Sequence, residues 1–505
     1  MKRKVKHKRQ MYVKSNEELD LKVRELNEGD IYNLFTLSDD ISITNLPFTF
    51  KKQEVDILFL YCKGLCQEEK INEEVIPQLE NLGSEYEINQ IDIHGVRQVW
   101  KNDAVKQPES VDEITSDVFD GKLFLWIELL KVGYVVDIGK HPQRDPEESS
   151  SELSIRGAKD GFIEEIRVNT ALIRKRIRST SLKYEEFTIG ERSKTRVGLF
   201  YIIDIAPKQA IKEVRKQLKN IEIDGLLNTN QLEELLIPSG FRLFPMFHYT
   251  GRPDFGSDAL LRGRFIILVD GAPTVLIAPV NLTFLIKAAE DNEVYFIYNS
   301  LERVIRFVGL LIAALLPGLW VALVAFHNNQ LPFILVSSLS QVRLGVPLPT
   351  ALEALIMVLI FELFREAGLR LPSAIGQILS VVGGLIIGDA AIRAGLTNPA
   401  MVVVVATSAV ATFSLGNQSF AGTISVIRII ILILSSFLGL FGLFTATFAI
   451  LLYAANIRSY GVPYLSPIAP YEGQDLIKAV FRPSWKIGRE RPAILDLDDD
   501  RKSRS

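Results

Sequence analysis

The sequence predicts a composite fold: an α+β part made of two small cytoplasmic α/β subdomains, followed by a polytopic α-helical membrane domain. Three observations predict it. First, apolar runs of membrane-spanning length lie between Ile305 and Ile457. They include Ile305 to Phe326 (IRFVGLLIAALLPGLWVALVAF) and the blocks Leu396 to Ile427 and Ile429 to Ile457, interrupted only by Arg428. A helix needs about 20 apolar residues to cross about 30 Å of hydrocarbon, whereas a buried core helix carries about 10–14. Second, the chain before Arg303 alternates strand-like and helix-like segments separated by turn residues. Third, 48% of the 505 residues are hydrophobic, yet mean hydropathy is only +0.18. That value suits a soluble part joined to a membrane part.

Charge and motif content exclude several classes. A net charge of −3 argues against nucleic acid as a partner. Cys62 and Cys66 are the two cysteines. Their C-x-x-x-C spacing is not that of a redox pair, and no second pair completes a zinc site. They read as structural thiols in a reducing compartment. His7, His94, His141, His248 and His327 are scattered without metal-ligand spacing. No phosphate-binding loop, H-E-x-x-H, kinase signature or G-x-S-x-G is present. No catalytic residue, metal or cofactor is expected, and the chain is not expected to be an enzyme.

Residues 1–45 read as a charged N-terminal tail. The start MKRKVKHKRQ has no apolar segment behind it, so it is not a secretory signal. It is either a solvated tail or helix, or a polybasic contact for anionic lipid. Residues 46–145 form the first α/β subdomain. Val55 to Tyr61 is strand-like and Ile71 to Leu82 has helical spacing. Lys122 to Leu130 and Val132 to Ile138 are β-rich runs after the Asp120-Gly121 turn. The polar stretch Lys140 to Glu152, with Pro142 and Pro146, marks a linker.

Residues 146–300 form the second α/β subdomain. Arg156 to Arg178 is expected to be a helix started by Asp160-Gly161, with Phe162, Ile166, Ile173 and Ile177 on its apolar face. Arg167, Arg174 and Arg178 make a basic stripe. The stripe is either solvated or a surface for a partner or lipid headgroups. Val197 to Ile205 is a buried-strand candidate, Pro207 opens a helix over Lys208 to Leu218, and Gln231 to Leu236 is a short helix. Phe265 to Ile286 is apolar enough for a span, but Asp270-Gly271 sits at its centre and Pro273 and Pro279 punctuate it. It reads as a hairpin of Phe265 to Val269 and Thr274 to Ile277.

Residues 301–457 form the membrane domain. Five apolar blocks are visible: Ile305 to Phe326, Leu348 to Phe364, Leu371 to Gly388, Leu396 to Ile427 and Ile429 to Ile457. Arg303 and Arg306 beside the first block place the N-terminal region in the cytoplasm, and FREAGLR (Arg365, Glu366, Arg370) reads as a second cytoplasmic loop. Residues 458–505 form a tail whose Arg458, Arg482, Lys486, Arg489 and Arg491 suggest the same side. Both ends inside requires an even number of crossings. Either one block is re-entrant or Leu331 to Ser340 adds a partial span. Gly384 and Gly388 form a G-x-x-x-G pair that permits close helix approach.

The charges inside this region or at its span ends are Glu353, Glu362, Arg365, Asp389, Arg393 and Arg428. Glu362 can pair with Arg365, and Asp389 with Arg393, at helical spacing. Arg428 is not expected to face lipid. Thr407, Ala411, Ser414 and Gln418 follow an i, i+4, i+7, i+11 stripe, though Gly416-Asn417-Gln418-Ser419 breaks or ends the helix. The stripe either packs against another helix or lines an aqueous path, with Val403 and Val404 at its narrow part.

The stretches RGAKDGFIEEIRVNTALIRKRIR, GRPDFGSDALLRGRFIILVDGAPTVLIAP, SLERVIRFVGLLIAALLPGLWVAL, FREAGLRLPSAIGQ and GGLIIGDAAIRAGLTNPAMVVVVA occur in this order between Arg156 and Tyr460. Together they closely resemble the GerA family of spore germination proteins, the A-type subunit of nutrient germinant receptors. The family often carries an acidic residue where this chain has Gly251. The resemblance implies a location in the spore inner membrane and a complex with a permease-like B subunit and a lipoprotein C subunit. It also implies a homo-oligomer that releases ions from the spore core as a channel. A secondary transporter with a regulatory cytoplasmic domain, or a non-conducting scaffold of the receptor, are the alternatives.

Overall fold

The structure is a computed structural model. It describes residues 23, 26–35, 38–51, 53–88, 105–139, 157–237, 242–343, 345–370 and 388–481. Two compact units are present. One holds the chain up to Pro238 together with Tyr249–Ala278; the other holds Ser239–His248 and the chain from Pro279. The expected boundary at residue 300 is therefore corrected to Ala278, where the last strand of the second sheet ends.

The first unit contains a four-stranded antiparallel sheet and a second, five-stranded sheet. The first runs β1 (Ile41–Phe50), β2 (Gln53–Cys62), β3 (Lys122–Ile127) and β4 (Val132–Asp137) in that order. Both faces are covered. Phe59, Leu125 and Val136 pack with Leu79 and Leu82 of α2 (Ile76–Glu85). Leu58, Leu60, Phe124 and Trp126 pack with α1 (Glu28–Phe35) and α3 (Val111–Phe119). Successive strand residues point to opposite faces, so burial on both sides explains the unbroken apolar run in β2. Ile31 and Phe35 of α1 are each 1% exposed. The tail reading of residues 1–45 is thus corrected from Glu28 onward. Helix α1 is too short to show a period, and Pro47 masks the strand alternation of β1, where an edge position tolerates it.

The second sheet has the order β5-β6-β8-β9-β7, with β5 (Leu182–Ile189), β6 (Thr195–Ile202), β7 (His248–Thr250), β8 (Phe265–Val269) and β9 (Val275–Ala278). Helices α4 (Ile166–Arg176), α5 (Lys208–Lys219), α6 (Thr229–Leu236) and α7 (Pro253–Leu261) accompany it. α4 starts at Ile166, so Asp160-Gly161 does not open it, and Phe162 is buried ahead of the helix. The stretch from Phe265 is a hairpin. Gly271 supplies the positive φ of +86° that its turn requires. Asp270 accepts from Arg196 Nε and Nη2 at 3.1 and 2.9 Å and from the Ile166 amide at 3.1 Å.

The second unit is helical. Among the described residues two helices are long and apolar enough to cross a membrane: α8 (Phe296–Phe326) and α12 (Gln418–Asn456). α10 (Thr350–Arg370) and α11 (Pro399–Phe413) pack beside them, whereas α9 (Phe333–Arg343) buries no residue. The expected span Leu371 to Gly388, with Gly384, lies outside the described residues. FREAGLR is not a loop; α10 runs through it to Arg370.

The two last apolar blocks are also redrawn. Asn398 and Asn417 cap α11 and α12, accepting from the Met401 and Phe420 amides at 2.9 and 3.0 Å. Within α12, Gly439 has φ 62° and ψ −139°. A Cβ added at Gly442 would strike the Leu434 carbonyl, so the chain folds back there. α12 is therefore two helical halves, 418–438 and 440–456. Arg428 sits in the middle of the first half, not between two spans.

Close approaches fix the helix directions. Ser408 of α11 donates to the Ala313 carbonyl of α8 at 2.9 Å, and Gly309 lies beside Ser414. These helices are antiparallel. Gly318 lies beside Ile431 and Ser435, and Gly439 beside Phe326, so α8 and the first half of α12 are parallel. The expected tail 458–505 begins as part of this unit. Ser459 Oγ accepts from the Val280 amide, and Asn281 Nδ2 donates to the Ser466 carbonyl at 3.0 Å. A short helix, α13 (Gly473–Val480), follows.

Candidate functional site

Buried charge in the helical unit marks the candidate site. Glu353 lies in the first turn of α10 and is 0% exposed. Its Oε1 accepts from Thr397 Oγ1, the Asn398 amide and Asn398 Nδ2 at 2.9, 2.7 and 2.6 Å. Asn398-Pro399 is a helix start, with a capping side chain and a proline at the first position. The carboxylate thus sits at the positive end of α11, where a negative charge is stabilised. α10 and α11 consequently run parallel.

The second cluster joins α10 to α12. Arg428 donates to Glu362 Oε2 from Nη2 at 2.8 Å. Its Nη1 donates to Ser408 Oγ and Thr412 Oγ1 at 3.2 and 3.3 Å, and its Nη2 also reaches Ser425 Oγ at 3.3 Å. Arg365 donates from Nη1 to Ser425 Oγ at 2.7 Å and pairs through Nη2 with Glu362 Oε1. Arg428 is 3% exposed. A charge buried this deeply is expensive unless its partners satisfy it.

The expected stripe is only partly assembled. Val403 and Thr407 are exposed and Ala411 and Ser414 half-buried along α11, but Gln418 opens α12. The four polar-stripe positions therefore do not share one continuous helix, because the chain breaks at Leu415-Gly416-Asn417. Val404 is buried, about 100° round the helix from the exposed Val403. The inward polar pair is Ser408 and Thr412, which the sequence reading missed together with Thr397, Asn398 and Ser425. Their i, i+4 spacing was visible in the sequence, but their long-range partner Arg428 was not. Asp389 and Arg393 pair at 2.8 Å on the surface.

The arginine stripe of the first unit also separates. Arg167 is exposed and Arg178 pairs with Asp120 at 2.9 Å. Arg174 is corrected from surface to core. It is 0% exposed, with Nε and Nη2 on the two oxygens of Asp40 at 2.5 and 2.9 Å. Nη2 also meets Ser38 Oγ, Nη1 donates to the Leu182 and Ser179 carbonyls, and the guanidinium lies 4.6 Å from the Phe119 ring centroid. Nearby, burial and the Arg174 charge push the Lys183 ammonium down to about 8. Cys62 and Cys66 are free and buried, and burial pushes the Cys66 thiol up to about 12. Thiols held protonated in this way are poor nucleophiles.

Residues 30–494 match the family model described as Bacillus/Clostridium GerA spore germination protein. The chain belongs to the GerA family. Among its GerA-family relatives, spore germination protein XA of Bacillus anthracis is 40% identical, over 95% of this chain and 98% of that protein. An uncharacterized membrane protein, YfkQ, of Bacillus subtilis strain 168 is 34% identical, over 88% of this chain and 86% of that one. A crystal structure of the N-terminal domain of the A subunit of the Bacillus megaterium spore germinant receptor GerK3 is 27% identical, covering 49% of this chain and 91% of that chain, with a TM-score of 0.36.

Proposed function

We propose that this GerA-family chain is the A-type membrane subunit of a nutrient germinant receptor in the spore inner membrane, and that copies of it form an ion-release channel. Family membership supports the role in germination. One structural observation supports the channel. α11 buries Met401, Val405, Ser408 and Thr412 within its own unit, while Val403 (64%) and Val410 (67%) remain exposed with Thr407 on the other face. In a closed symmetric ring this face would repeat around the axis, with Val403 as an apolar constriction that gates by dewetting.

The reading includes a permease-like B subunit and a lipoprotein C subunit as partners. It includes no enzymatic step. The reading keeps both chain ends in the cytoplasm, which the arginines beside α8 support. The test is ion release from spores measured together with receptor level in the membrane. Val403→Ala should leak ions without nutrient at normal protein level. Ala411→Phe should block release. Normal accumulation and parental release in both variants would remove α11 from the conducting path and favour a scaffold. Solute uptake by the purified chain alone in liposomes would favour a transporter.

A further inference from the structure

We propose that α13 is a membrane-surface anchor: its outer face enters the lipid leaflet where α8 begins, and the basic chain after it binds anionic headgroups. The anchor requires that α8 cross a membrane, as proposed above. Arg303 sets the level of the helix. Its Nη1 donates to the Ala479 carbonyl of α13 at 3.4 Å. Arg303 and Arg306 are also held by Asp291, at 3.0 and 2.7 Å, and the apolar run of α8 starts at Ile305 between them. This charged group marks where α8 leaves water, so α13 lies at headgroup depth.

At that depth α13 is oriented the wrong way round for water. It turns Asp475 inward and leaves Ile477 and Phe481, four residues apart, 63% and 53% exposed. A helix at a protein–water surface buries its apolar face instead. Tyr471, just ahead of α13, is exposed as well. The start of α8 has the same character. Ile297, Leu301 and Ile305 form an exposed apolar stripe at helical spacing, which continues through Val308 into the apolar run. Apolar and aromatic side chains at the level of a charged group suit the boundary between headgroups and acyl chains. The sequence supplies the charge. From Lys478 to Arg491 it carries five basic residues against one acidic residue, Glu490, with Trp485 and Ile487 among them. Residues 482–491 lie outside the described residues; their composition, basic with apolar residues interleaved, complements an anionic lipid surface.

The experiment labels the purified full chain in lipid nanodiscs with a thiol-reactive fluorophore. Cys62 and Cys66 are buried, and the unsubstituted chain sets the background. Ile477→Cys and, separately, Phe481→Cys carry the probe on the outer face of α13. Leu227→Cys, exposed in the first unit, is the reference for water, and Leu311→Cys, exposed in the apolar run of α8, is the reference for lipid. Quenching by a nitroxide on the lipid acyl chain is compared with quenching by aqueous acrylamide. Relative to the Leu227 probe, both α13 probes should gain nitroxide quenching and lose acrylamide quenching. Nitroxide quenching should rise when phosphatidylglycerol replaces part of the phosphatidylcholine. Combining Arg482→Gln, Lys486→Gln, Arg489→Gln and Arg491→Gln should abolish that rise. Both α13 probes as open to acrylamide as the Leu227 probe, with the Leu311 probe quenched by nitroxide, would overturn the anchor and leave the membrane reading standing. A Leu311 probe untouched by nitroxide would overturn both. Protection from acrylamide without nitroxide quenching would mean that protein, the chain itself or a second copy, covers the face, and would overturn the anchor too. Equal nitroxide quenching with and without phosphatidylglycerol would overturn the binding of anionic headgroups.

Discussion

Arg174 and Arg428 are both buried arginines facing a carboxylate, one in each unit, and they are built differently. Arg174 holds both oxygens of its carboxylate, two backbone carbonyls, a hydroxyl and an aromatic face. Arg428 shares its carboxylate with Arg365 and leaves Nε idle. A fully satisfied buried ion pair holds a fold in one arrangement, whereas a partly satisfied one is costly unless something else completes it. The first pattern suits a tie between two sheets; the second leaves a buried donor unsatisfied. The tie is visible around Arg174. The Asp39 amide donates to the Tyr184 carbonyl at 2.9 Å, and the Tyr184 and Glu186 amides donate to Ser38 Oγ and Asp39 Oδ2 at 3.0 and 2.8 Å. These bonds and the ion pair stitch the first sheet to the second.

The largest expected effect breaks that tie. Arg174→Met leaves Asp40 buried without its partner and should cost about 3–5 kcal/mol. Urea unfolding of the purified chain, with hydrogen exchange on β1 and β5 to localise the loss, measures it. A cost below about 1 kcal/mol would mean Arg174 behaves as a surface residue, and the contrast with Arg428 would fail.

Lys183 sharpens the comparison, because it is an extra positive charge in the satisfied region. Burial first, and Arg174 second, lower its pKa to about 8, against about 10.4 unfolded. Below pH 8 both states are protonated and the full penalty applies. Between about pH 8 and 10.4 the folded state sheds its proton first, so this group's penalty fades as pH rises. Lys183→Met should therefore stabilise by about 2–3 kcal/mol at pH 7, with the gain shrinking toward zero near pH 10. Unfolding free energies of variant and parent at pH 7, 8.5 and 10 test it. The difference cancels the opposing fall from the buried thiols. A gain that stays constant with pH would show that Lys183 is not desolvated.

Local pattern made much of the first unit legible. The Asp-Gly hairpin, the β6 strand and the α5 helix each carry their signal within a dozen residues. Both buried arginines were harder to read, for opposite reasons. Arg174 sits at helical spacing with two exposed arginines, and its partner Asp40 lies far away in a segment with a surface-like composition. Arg428 was recognisable as a charge that must avoid lipid, but Ser408, Thr412 and Glu362 meet it only through tertiary packing. Helix ends in the membrane block were blurred because Leu, Val and Ala fill both sides of the breaks. Asn398, Asn417 and Gly439 were the cues, and each is a single residue in a long apolar run.

A smaller effect concerns Glu353, the other buried carboxylate of the helical unit. Asn398→Ala removes the cap of α11 and one of three donors to Glu353, while Thr397 and the backbone amide remain. The loss should be about 1–2 kcal/mol, read as faster exchange in the first turn of α11. Thermal midpoints of Asn398→Asp should fall further, since a second carboxylate would face Glu353. Equal midpoints for the two variants would mean that a carboxylate at position 398 does not meet Glu353, and the contact drawn between them would fail.

The smallest effect is expected at Arg178, two residues beyond the end of α4 and four beyond Arg174. Its pair with Asp120 has side chains 42% and 32% exposed. Water screens such a pair, and ordering two long side chains offsets much of the attraction, so Arg178→Ala should cost under about 1 kcal/mol. Salt separates it from Arg174. The Debye length falls from about 30 Å at 0.01 M to about 3 Å at 1 M, so the Arg178→Ala cost should vanish at high salt while the Arg174→Met cost persists. Urea unfolding of both variants at the two salt concentrations reads this directly. If both costs faded together, Asp40 would have to be reachable by solvent ions, and burial would no longer explain why one arginine of the stripe ties two sheets while its neighbour merely decorates the surface.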